Sequence, residues 1–182
     1  MKRMILLAVA FALMAGASAV GKERPRGSVA PPPSAANRQV DYNGFAALTA
    51  DLAPYREARR VDLARFKAMA GQGDTLILDA RSARAYAEGH IAGAVNLPFT
   101  EFTEESLAAA IGPDRNRRIL IYCNNNFSND VQPVPVKAVR LALNIPTFIN
   151  LYGYGYPNIY ELADIVDFND PAVGWVGAKA TP

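Results

Sequence analysis

The sequence predicts an α/β fold in which a parallel sheet is covered by helices on both faces. Two segments, residues 75–81 and 117–122, contain apolar runs that have the length and the branched side chains of buried strands. Segments with apolar residues at helical spacing, such as residues 101–111, precede and follow these runs. Strands that alternate with helices form parallel sheets, and ligands bind at the edge formed by the carboxyl ends of those strands.

Residues 1–19 have the pattern of a secretory signal peptide. Lys2 and Arg3 precede an apolar run from Met4 to Met14, and Ala17-Ser18-Ala19 is a small-x-small cleavage pattern. The apolar run is short and rich in alanine for a membrane span, although an uncleaved anchor is the alternative. We therefore predict an exported protein, periplasmic or secreted, without a stable membrane span after the signal is removed.

Residues 20–40 form a predicted linker, and residues 41–182 form a predicted domain. The linker contains Pro31-Pro32-Pro33 and has no apolar periodicity. Removing Lys2 and Arg3 from the 19 basic residues leaves 17, which equals the number of acidic residues. A neutral chain without a basic block offers no surface for nucleic acid, so we predict no nucleic-acid partner.

The domain begins with a helical pattern at residues 42–70. Pro54 interrupts the pattern, so we predict two short helices. Asp62 is placed to cap the second helix, and the glycines at residues 71–74 end it before the first strand.

The remaining elements alternate along the chain, and Trp175 is expected to pack against the domain. The predicted elements are helical turns at residues 83–88, a strand at 94–96, a helix at 101–111 capped near Thr103, the strand at 117–122, a helix at 136–143, a strand at 147–151 and a helix at 158–165.

The apolar run at residues 117–122 delivers the only cysteine, Cys123, into a polar loop. A rigid strand end suits a nucleophile, and backbone N–H groups of such a loop can stabilise a thiolate or a bound anion. The alternative for a lone cysteine is a small buried hydrophobic residue. One cysteine permits no internal disulfide and no Cys-Cys metal site, and we predict no metal and no cofactor. The predicted active-site loop contains Asn124, Asn125, Asn126, Phe127, Ser128, Asn129 and Asp130.

Four segments resemble the rhodanese-like (sulfurtransferase) family. Residues 75–81, Thr-Leu-Ile-Leu-Asp-Ala-Arg, are similar to the family's strand that ends in Asp-x-Arg. Residues 88–98 are similar to its Gly-His-Ile-x-Gly-Ala-x-Asn-x-Pro segment. Residues 119–123 stand in the place of the strand that carries the family's active-site cysteine. Residues 148–155 resemble its late strand and glycine turn, although Tyr154 splits the usual Gly-Gly.

The resemblance covers residues 74–166 and implies sulfur transfer at Cys123. In the family, the cysteine takes a sulfane sulfur from a donor, becomes a persulfide and passes the sulfur to a nucleophile. The resemblance also implies that Asp79 and Arg81 brace the loop rather than react, with a local ion pair as the alternative. His90, the only histidine, is expected to make structural hydrogen bonds, so no Cys-His pair is predicted.

The sequence departs from the family just after Cys123. Family members carry an arginine five residues after the cysteine, where this chain has Ser128, and residues 129–136 resemble an insertion. Lys137 and Arg140 are candidate replacements for the anion contact, with solvent-facing helix charges as the alternative. Thiosulfate is therefore expected to be a poor donor. A cysteine-dependent phosphatase also needs such an arginine, which disfavours that activity.

Tyrosines alternate with glycines at residues 152–156. A period of two would place Tyr152, Tyr154 and Tyr156 on one side of an extended segment. In the resembling fold this turn lies on the active-site face, so the rings are candidates for a docking rim. Packing against the lengthened loop is the alternative.

These observations leave two functions open. The first is a sulfurtransferase or persulfide carrier, with a small sulfur donor and a thiol acceptor as partners. The second is a catalytically inactive rhodanese-fold binding module that holds a protein partner at the loop and the tyrosine rim. The retained cysteine favours the first function, whereas the missing arginine favours the second.

Overall fold

The computed structural model describes residues 39–177, and a five-stranded parallel sheet forms the centre of this part of the chain. The sheet order is β1-β6-β5-β2-β4, with β5 in the middle, which confirms the predicted α/β fold. The strands are β1 (Arg60–Val61), β2 (Thr75–Asp79), β3 (Gly89–Ile91), β4 (Ala94–Asn96), β5 (Arg118–Tyr122), β6 (Ile159–Leu162) and β7 (Trp175–Gly177). The predicted signal peptide, and all but the last two residues of the predicted linker, lie outside the described residues.

Helices cover both faces of the sheet. The helices are α1 (Tyr42–Glu57), α2 (Leu63–Ala70), α3 (Ala83–Glu88), α4 (Glu104–Ile111) and α5 (Asn144–Gly153). Phe148 of α5 and Leu107 of α4 are buried with Ile121 on one face of the sheet. Phe66 of α2 is buried with Leu120 on the other face. Consecutive residues of β5 thus point into two separate apolar cores, as the period of a strand requires.

The beginnings of the helices agree with the capping residues read from the sequence. The Asp62 carboxylate accepts a hydrogen bond from the Arg65 amide, and the Thr103 hydroxyl accepts one from the Ser106 amide. The predicted break at Pro54 is wrong, because α1 continues through it. Pro54 lies on the exposed side of the helix, where water can satisfy the carbonyl that its missing N–H leaves without an intrahelical bond.

Three elements predicted for residues 136–165 are wrong. The predicted helix at 136–143 is loop with one short 3-10 turn at Val139–Leu141, the predicted strand at 147–151 is part of α5, and the predicted helix at 158–165 contains strand β6. The loop between Cys123 and α5 therefore spans residues 124–143, which is longer than the predicted insertion. Asn144, Thr147, Phe148 and Leu151 are buried at helical spacing, so burial against the sheet determines the helix.

A small antiparallel sheet of β3 and β7 closes one end of the domain. As expected, Trp175 of β7 packs against it, with its ring 5.1 Å from that of Phe127 and 4.9 Å from that of Phe168. Within residues 39–177, no helix has both the length and the apolar character needed to cross a bilayer.

Candidate active site

Cys123 lies at the carboxyl end of the central strand, in a cleft of about 640 Å³. β5 ends at Tyr122, so Cys123 is the first residue beyond the sheet. Its side chain is 1 % exposed, although the residue lines the cleft. The cleft also contacts the amino end of α5, the carboxyl end of β6 and the end of α1. Residues from these three elements that line it are Asn144, Ile145, Glu161, Leu162 and Arg56.

Backbone N–H groups from two separate segments surround the thiol. The amides of Asn144, Asn125 and Leu143 interact with the sulfur and favour its thiolate form. Leu143 and Asn144 begin α5, where backbone N–H groups have no intrahelical partner and the helix dipole is positive. Only Asn125 comes from the predicted active-site loop, so the expected cradle of consecutive loop amides is not what forms.

Burial opposes these amides and raises the pKa of the Cys123 thiol. The carboxylate of Glu161 acts in the same direction as burial, because a second negative charge near the sulfur disfavours the thiolate. Burial likewise raises the pKa of Glu161, whereas Arg56 lowers it. The resting site therefore holds a protonated thiol next to a buried carboxylate.

The asparagines after Cys123 hold the long loop in place. Asn124 donates to the Pro135 carbonyl at 2.9 Å, and Asn125 exchanges two hydrogen bonds with the backbone of Lys137. Asn126 is buried and accepts from the Cys123 amide at 2.9 Å, while its side-chain amide donates to the Leu162 carbonyl at 2.8 Å. These side chains therefore fix the position of the thiol and leave its chemistry to other groups.

The rest of the predicted loop continues along the cleft, which Phe127, Ser128 and Asp130 also line. Phe127 is buried and bridges to Val166, and the Ser128 amide donates to the Val166 carbonyl. Asn129 donates to the Asp167 carboxylate at 2.7 Å. Asp130, whose φ is 45°, accepts from the Val136 amide at 2.8 Å and so closes the turn. Residues 127–129 thus dock the loop onto the segment after β6, and Asp130 closes the turn within the loop.

Asp79 and Arg81 form a buried ion pair at the end of β2. The guanidinium contacts both carboxylate oxygens, the closest at 2.6 Å, and also donates to the Pro133 carbonyl of the long loop. Tyr122 donates to the same carboxylate at 2.5 Å. Asp79 raises the pKa of Arg81, and burial raises that of Tyr122 well above its usual value. These contacts tie the long loop to the sheet.

His90 lies in the small sheet, where its ring stacks on Tyr86 at 3.8 Å. Its Nδ1 is 2.9 Å from the Tyr86 carbonyl. Neither residue is among those that line the cleft of Cys123.

Two arginines, one from α1 and one from β1, line the cleft although the sequence did not indicate them. Arg56 and Arg60 line the cleft together with Cys123, whereas Lys137 and Arg140 do not. Lys137 contacts Asn125 through its backbone, and both predicted residues are exposed. Glu161 was missed as well, since it was predicted to lie on a helix. These residues meet because β1 lies beside β6, so predicting them would have required predicting that strand pair.

The structure does not bring the tyrosine rim to the active site. Tyr152 ends α5 against Tyr55, and the Tyr154 carbonyl accepts from Arg115 at 2.7 Å. Tyr156 is completely buried. Arg115 precedes β5, so these rings lie at the end of the sheet opposite Cys123. The prediction of an extended segment is wrong because α5 runs antiparallel to β5 and continues to Gly153.

No group of three or more metal-ligating side chains occurs within residues 39–177. Cys123 is the free cysteine of the site and the only cysteine of the chain. The groups available for chemistry in the cleft are therefore the thiol, the carboxylates of Glu161 and Asp130, the Ser128 hydroxyl, the two arginines and the backbone amides.

Solved structures of similar fold include bacterial rhodanese-like proteins. The Alr3790 protein of Anabaena sp. is 18 % identical over 64 % of this chain and 91 % of its own, with a TM-score of 0.46. A rhodanese with anions from E. coli is 27 % identical over 57 % and 99 %, with a TM-score of 0.39. A thiosulfate sulfurtransferase from Pseudomonas aeruginosa is 19 % identical over 66 % of this chain and 20 % of its own, with a TM-score of 0.42.

No curated protein is a significant match to this sequence. The sequence model of the rhodanese-like domain family, in contrast, matches residues 62–164, which is more than half of the 182 residues. The match includes β2, β5, Cys123, α5 and β6. This chain therefore belongs to the rhodanese-like domain family.

Proposed function

We propose that this protein is a sulfurtransferase or persulfide carrier in which Cys123 accepts a sulfane sulfur and passes it to a thiol. The observation that carries the proposal is the position of Cys123, at the carboxyl end of the central strand with the amino end of α5 directed at its sulfur. The same N–H groups that favour a thiolate would stabilise the terminal sulfur of a persulfide.

The size and the charges of the cleft favour a sulfur donor larger than thiosulfate, with a negative group some distance from its sulfane sulfur. Its volume of about 640 Å³ is in the range of small-molecule sites. Arg56 and Arg60 line it, whereas the position five residues after the cysteine is Ser128. Low-molecular-weight persulfides, which carry carboxylates, suit this arrangement of charges.

Intact mass spectrometry tests the proposal directly. The protein is incubated briefly with thiosulfate, and separately with a glutathione persulfide donor, next to a Cys123→Ser variant. We expect a gain of one sulfur atom on the native protein from the persulfide donor, lost again when cyanide or a thiol is added. A folded protein whose thiol can be alkylated, yet gains no sulfur from either donor, would contradict the proposal.

The second candidate is a binding module without turnover, and the burial of the thiol favours it. Cys123 is 1 % exposed, and the mouth of the cleft carries the exposed apolar side chains of Val139 and Ile165. Resistance of Cys123 to alkylation until the protein unfolds would support this function.

We also propose that the protein is exported and acts in the periplasm or outside the cell, on the basis of the pattern at residues 1–19. Fractionation of cells that produce the full-length chain, with the mass of the recovered protein, tests this. Cleavage after Ala19 in the exported fraction is the expected result, and an uncleaved chain in the cytoplasm would contradict it.

A further inference from the structure

Glu161 is a carboxylate in the core, on the same face of the sheet as Cys123. In the parallel pair of β5 and β6, Glu161 is the register partner of Ile121, which stands two residues before Cys123. Side chains two residues apart on an extended strand point the same way, so Cys123 and Glu161 share a face. Both residues line the cleft.

One oxygen of this carboxylate accepts hydrogen bonds, and the other has no partner. Oε1 of Glu161 accepts from Arg56 at 2.6 Å and from Asn144 at 3.4 Å. Glu161 is only 4 % exposed, so water does not reach Oε2 freely. This oxygen also has no hydrogen-bond partner within residues 39–177. Leaving a buried acceptor unpaired destabilises the fold, so its place beside the thiol calls for a function.

We infer that Glu161 is the proton acceptor of Cys123 in sulfur transfer, and that it returns the proton to the leaving group. The inference rests on the proposed function, since it assigns a residue to that reaction. Arg56 and Asn144 hold the carboxylate of Glu161 through Oε1, which leaves Oε2 free to accept a proton. The only histidine of the chain, His90, does not line the cleft and so cannot serve as the base.

The reaction step balances with a persulfide donor R–S–SH. The thiol of Cys123 gives its proton to Glu161, and the resulting thiolate attacks the outer sulfur of the donor. A new S–S bond forms at Cys123 while the S–S bond of the donor breaks, and its electron pair leaves on R–S⁻. Glu161 then gives the proton to R–S⁻. The products are Cys123–S–SH and R–SH, and no external oxidant or reductant is needed.

The charges around Glu161 fit a group that gains and loses one proton. Arg56 from α1 contacts it, and Arg60 of β1 is its register partner on the other side. Glu57 of α1 pairs with Arg60, Cys123 interacts with Glu161 from the position just after β5, and Asp130 of the loop lines the same cleft. The first turn of α5 contributes no acidic residue. Burial disfavours the charged forms of both groups, Glu161 further disfavours the thiolate, and Arg56 and Arg60 favour the carboxylate. These opposing effects suit a proton that passes between the two groups.

The test compares two neutral disulfides that differ in their leaving thiol. 4,4′-Dithiodipyridine releases an acidic thiol that needs no proton from the protein, whereas 2-hydroxyethyl disulfide releases a basic thiolate that does. Intact mass spectrometry gives the rate at which Cys123 forms a mixed disulfide with each. The variants are Glu161→Gln, Glu161→Asp and, as a matched control, Glu104→Gln. Glu104 is an exposed carboxylate paired with Arg115, outside the residues that line the cleft.

We expect Glu161→Gln to slow the reaction with 2-hydroxyethyl disulfide about a hundredfold. Its reaction with 4,4′-dithiodipyridine should stay equal or become faster. Removing the carboxylate favours the thiolate, so solvent can take the thiol proton that Glu161 takes in the native protein, and this leaving group needs no proton in return. Glu161→Asp should recover part of the lost rate, and Glu104→Gln should match the native protein. The ratio of two rates on one sample separates this effect from a loss of folded protein, which changes both rates in the same direction.

Equal effects of Glu161→Gln on both disulfides, or none, would overturn the inference. The same variants are then assayed for sulfur uptake from glutathione persulfide. If the native protein takes up no sulfur but shows the leaving-group pattern, the proposed function fails, and Glu161 remains the proton acceptor of Cys123 in thiol–disulfide exchange alone. If the native protein takes up sulfur and Glu161→Gln does so at the same rate, the assignment fails and the function stands.

Discussion

At the scale of single residues, the balance around the Cys123 thiol determines when the protein reacts. Three backbone amides favour the thiolate, whereas burial and the charge of Glu161 favour the thiol, and the second pair prevails. Since the pKa is raised, the thiolate is scarce at neutral pH and appears only as the pH rises past the ordinary value for a cysteine, about 8.5. We therefore expect reaction at neutral pH with a donor whose leaving group is basic to depend on a group that takes this proton and delivers it to the leaving group.

The first prediction concerns the pH dependence of this thiol. The rate of alkylation by iodoacetamide should rise with pH and reach its midpoint above about 8.5, because the folded protein holds the proton more tightly than a free cysteine does. The measurement is the alkylation rate across pH by intact mass. The same chain unfolded in urea is the control and should show the ordinary midpoint. A midpoint below the ordinary value would mean that the amides at the start of α5 outweigh burial.

A second prediction at this scale concerns the anion contact in the cleft. Arg60→Gln should reduce the rate of sulfur uptake from an anionic persulfide about threefold to tenfold at low donor concentration, a modest effect because this side chain is partly exposed to solvent. Arg140→Gln removes an exposed charge outside the residues that line the cleft, so it is the matched control and should leave the rate unchanged.

The measurement for the arginine pair is the dependence of the uptake rate on donor concentration at two salt concentrations. Higher salt should reduce the difference between the native protein and Arg60→Gln. Equal losses in Arg60→Gln and Arg140→Gln would show that general attraction of the donor, rather than a contact in the cleft, explains the effect.

At the scale of elements, Asn126 joins three of them at the thiol. It bonds the amide of Cys123, the carbonyls of Leu162 and Asp164, and the side chain of Asn144 at the start of α5. Asn126→Ala would leave these buried groups without partners, so we expect a loss of about 3 kcal/mol in the free energy of unfolding.

Urea unfolding followed by circular dichroism measures this loss. Asn129→Ala removes a hydrogen bond to the Asp167 carboxylate and one from the Phe168 amide, on a partly exposed part of the same loop, and should cost only about 1 kcal/mol. In the native state, Asn126→Ala should also alkylate faster at Cys123, because α5 and β6 are no longer fixed against the thiol. Equal unfolding midpoints for the two variants would show that the loop does not depend on Asn126.

The elements also show where a single sequence is informative. β2 and β5 are continuous apolar runs between turn residues, so they were predicted correctly, and Cys123 follows at the carboxyl end of β5. The segment at residues 144–162 was misread because Thr147, Phe148 and Ile149 fit a buried strand as well as a buried helix. The structure shows a helix, because the buried residues are spaced as on one face of a helix: Asn144, Thr147, Phe148 and Leu151. This burial arises from packing of α5 on the sheet, which the local sequence does not reveal.

The site was only partly predictable for a related reason. Cys123 and its asparagines are contiguous in sequence, and Asp79 with Arg81 lies in a recognisable strand end. Arg56 and Glu161, in contrast, are separated by 105 residues and meet only because β1 lies beside β6. No local pattern marks either residue. Long-range pairing of strands thus determined the part of the site that sequence reasoning missed.

At the scale of the whole molecule, the cleft requires more of the chain than the family match includes. The match begins at residue 62, after α1 and β1. Leu52 of α1 is buried, and the Tyr55 ring lies 5.4 Å from that of Tyr152 and 6.3 Å from that of Phe148. α1 therefore completes the core on the side of α5 in addition to supplying Arg56.

The last prediction follows from this arrangement. A chain of residues 62–182 should lose at least about 5 kcal/mol of folding free energy relative to a chain of residues 40–182. Truncation leaves Glu161 buried without Arg56, which alone costs about 3–5 kcal/mol, and it exposes the apolar surface that Leu52 and Tyr55 cover. The shorter chain should therefore unfold without a cooperative transition in urea, measured by circular dichroism, while the longer chain unfolds in one step. If both chains unfold at the same urea concentration, α1 is an addition to a domain that is already stable. In that case the arginines of the cleft are positioned by contacts that the fold does not need.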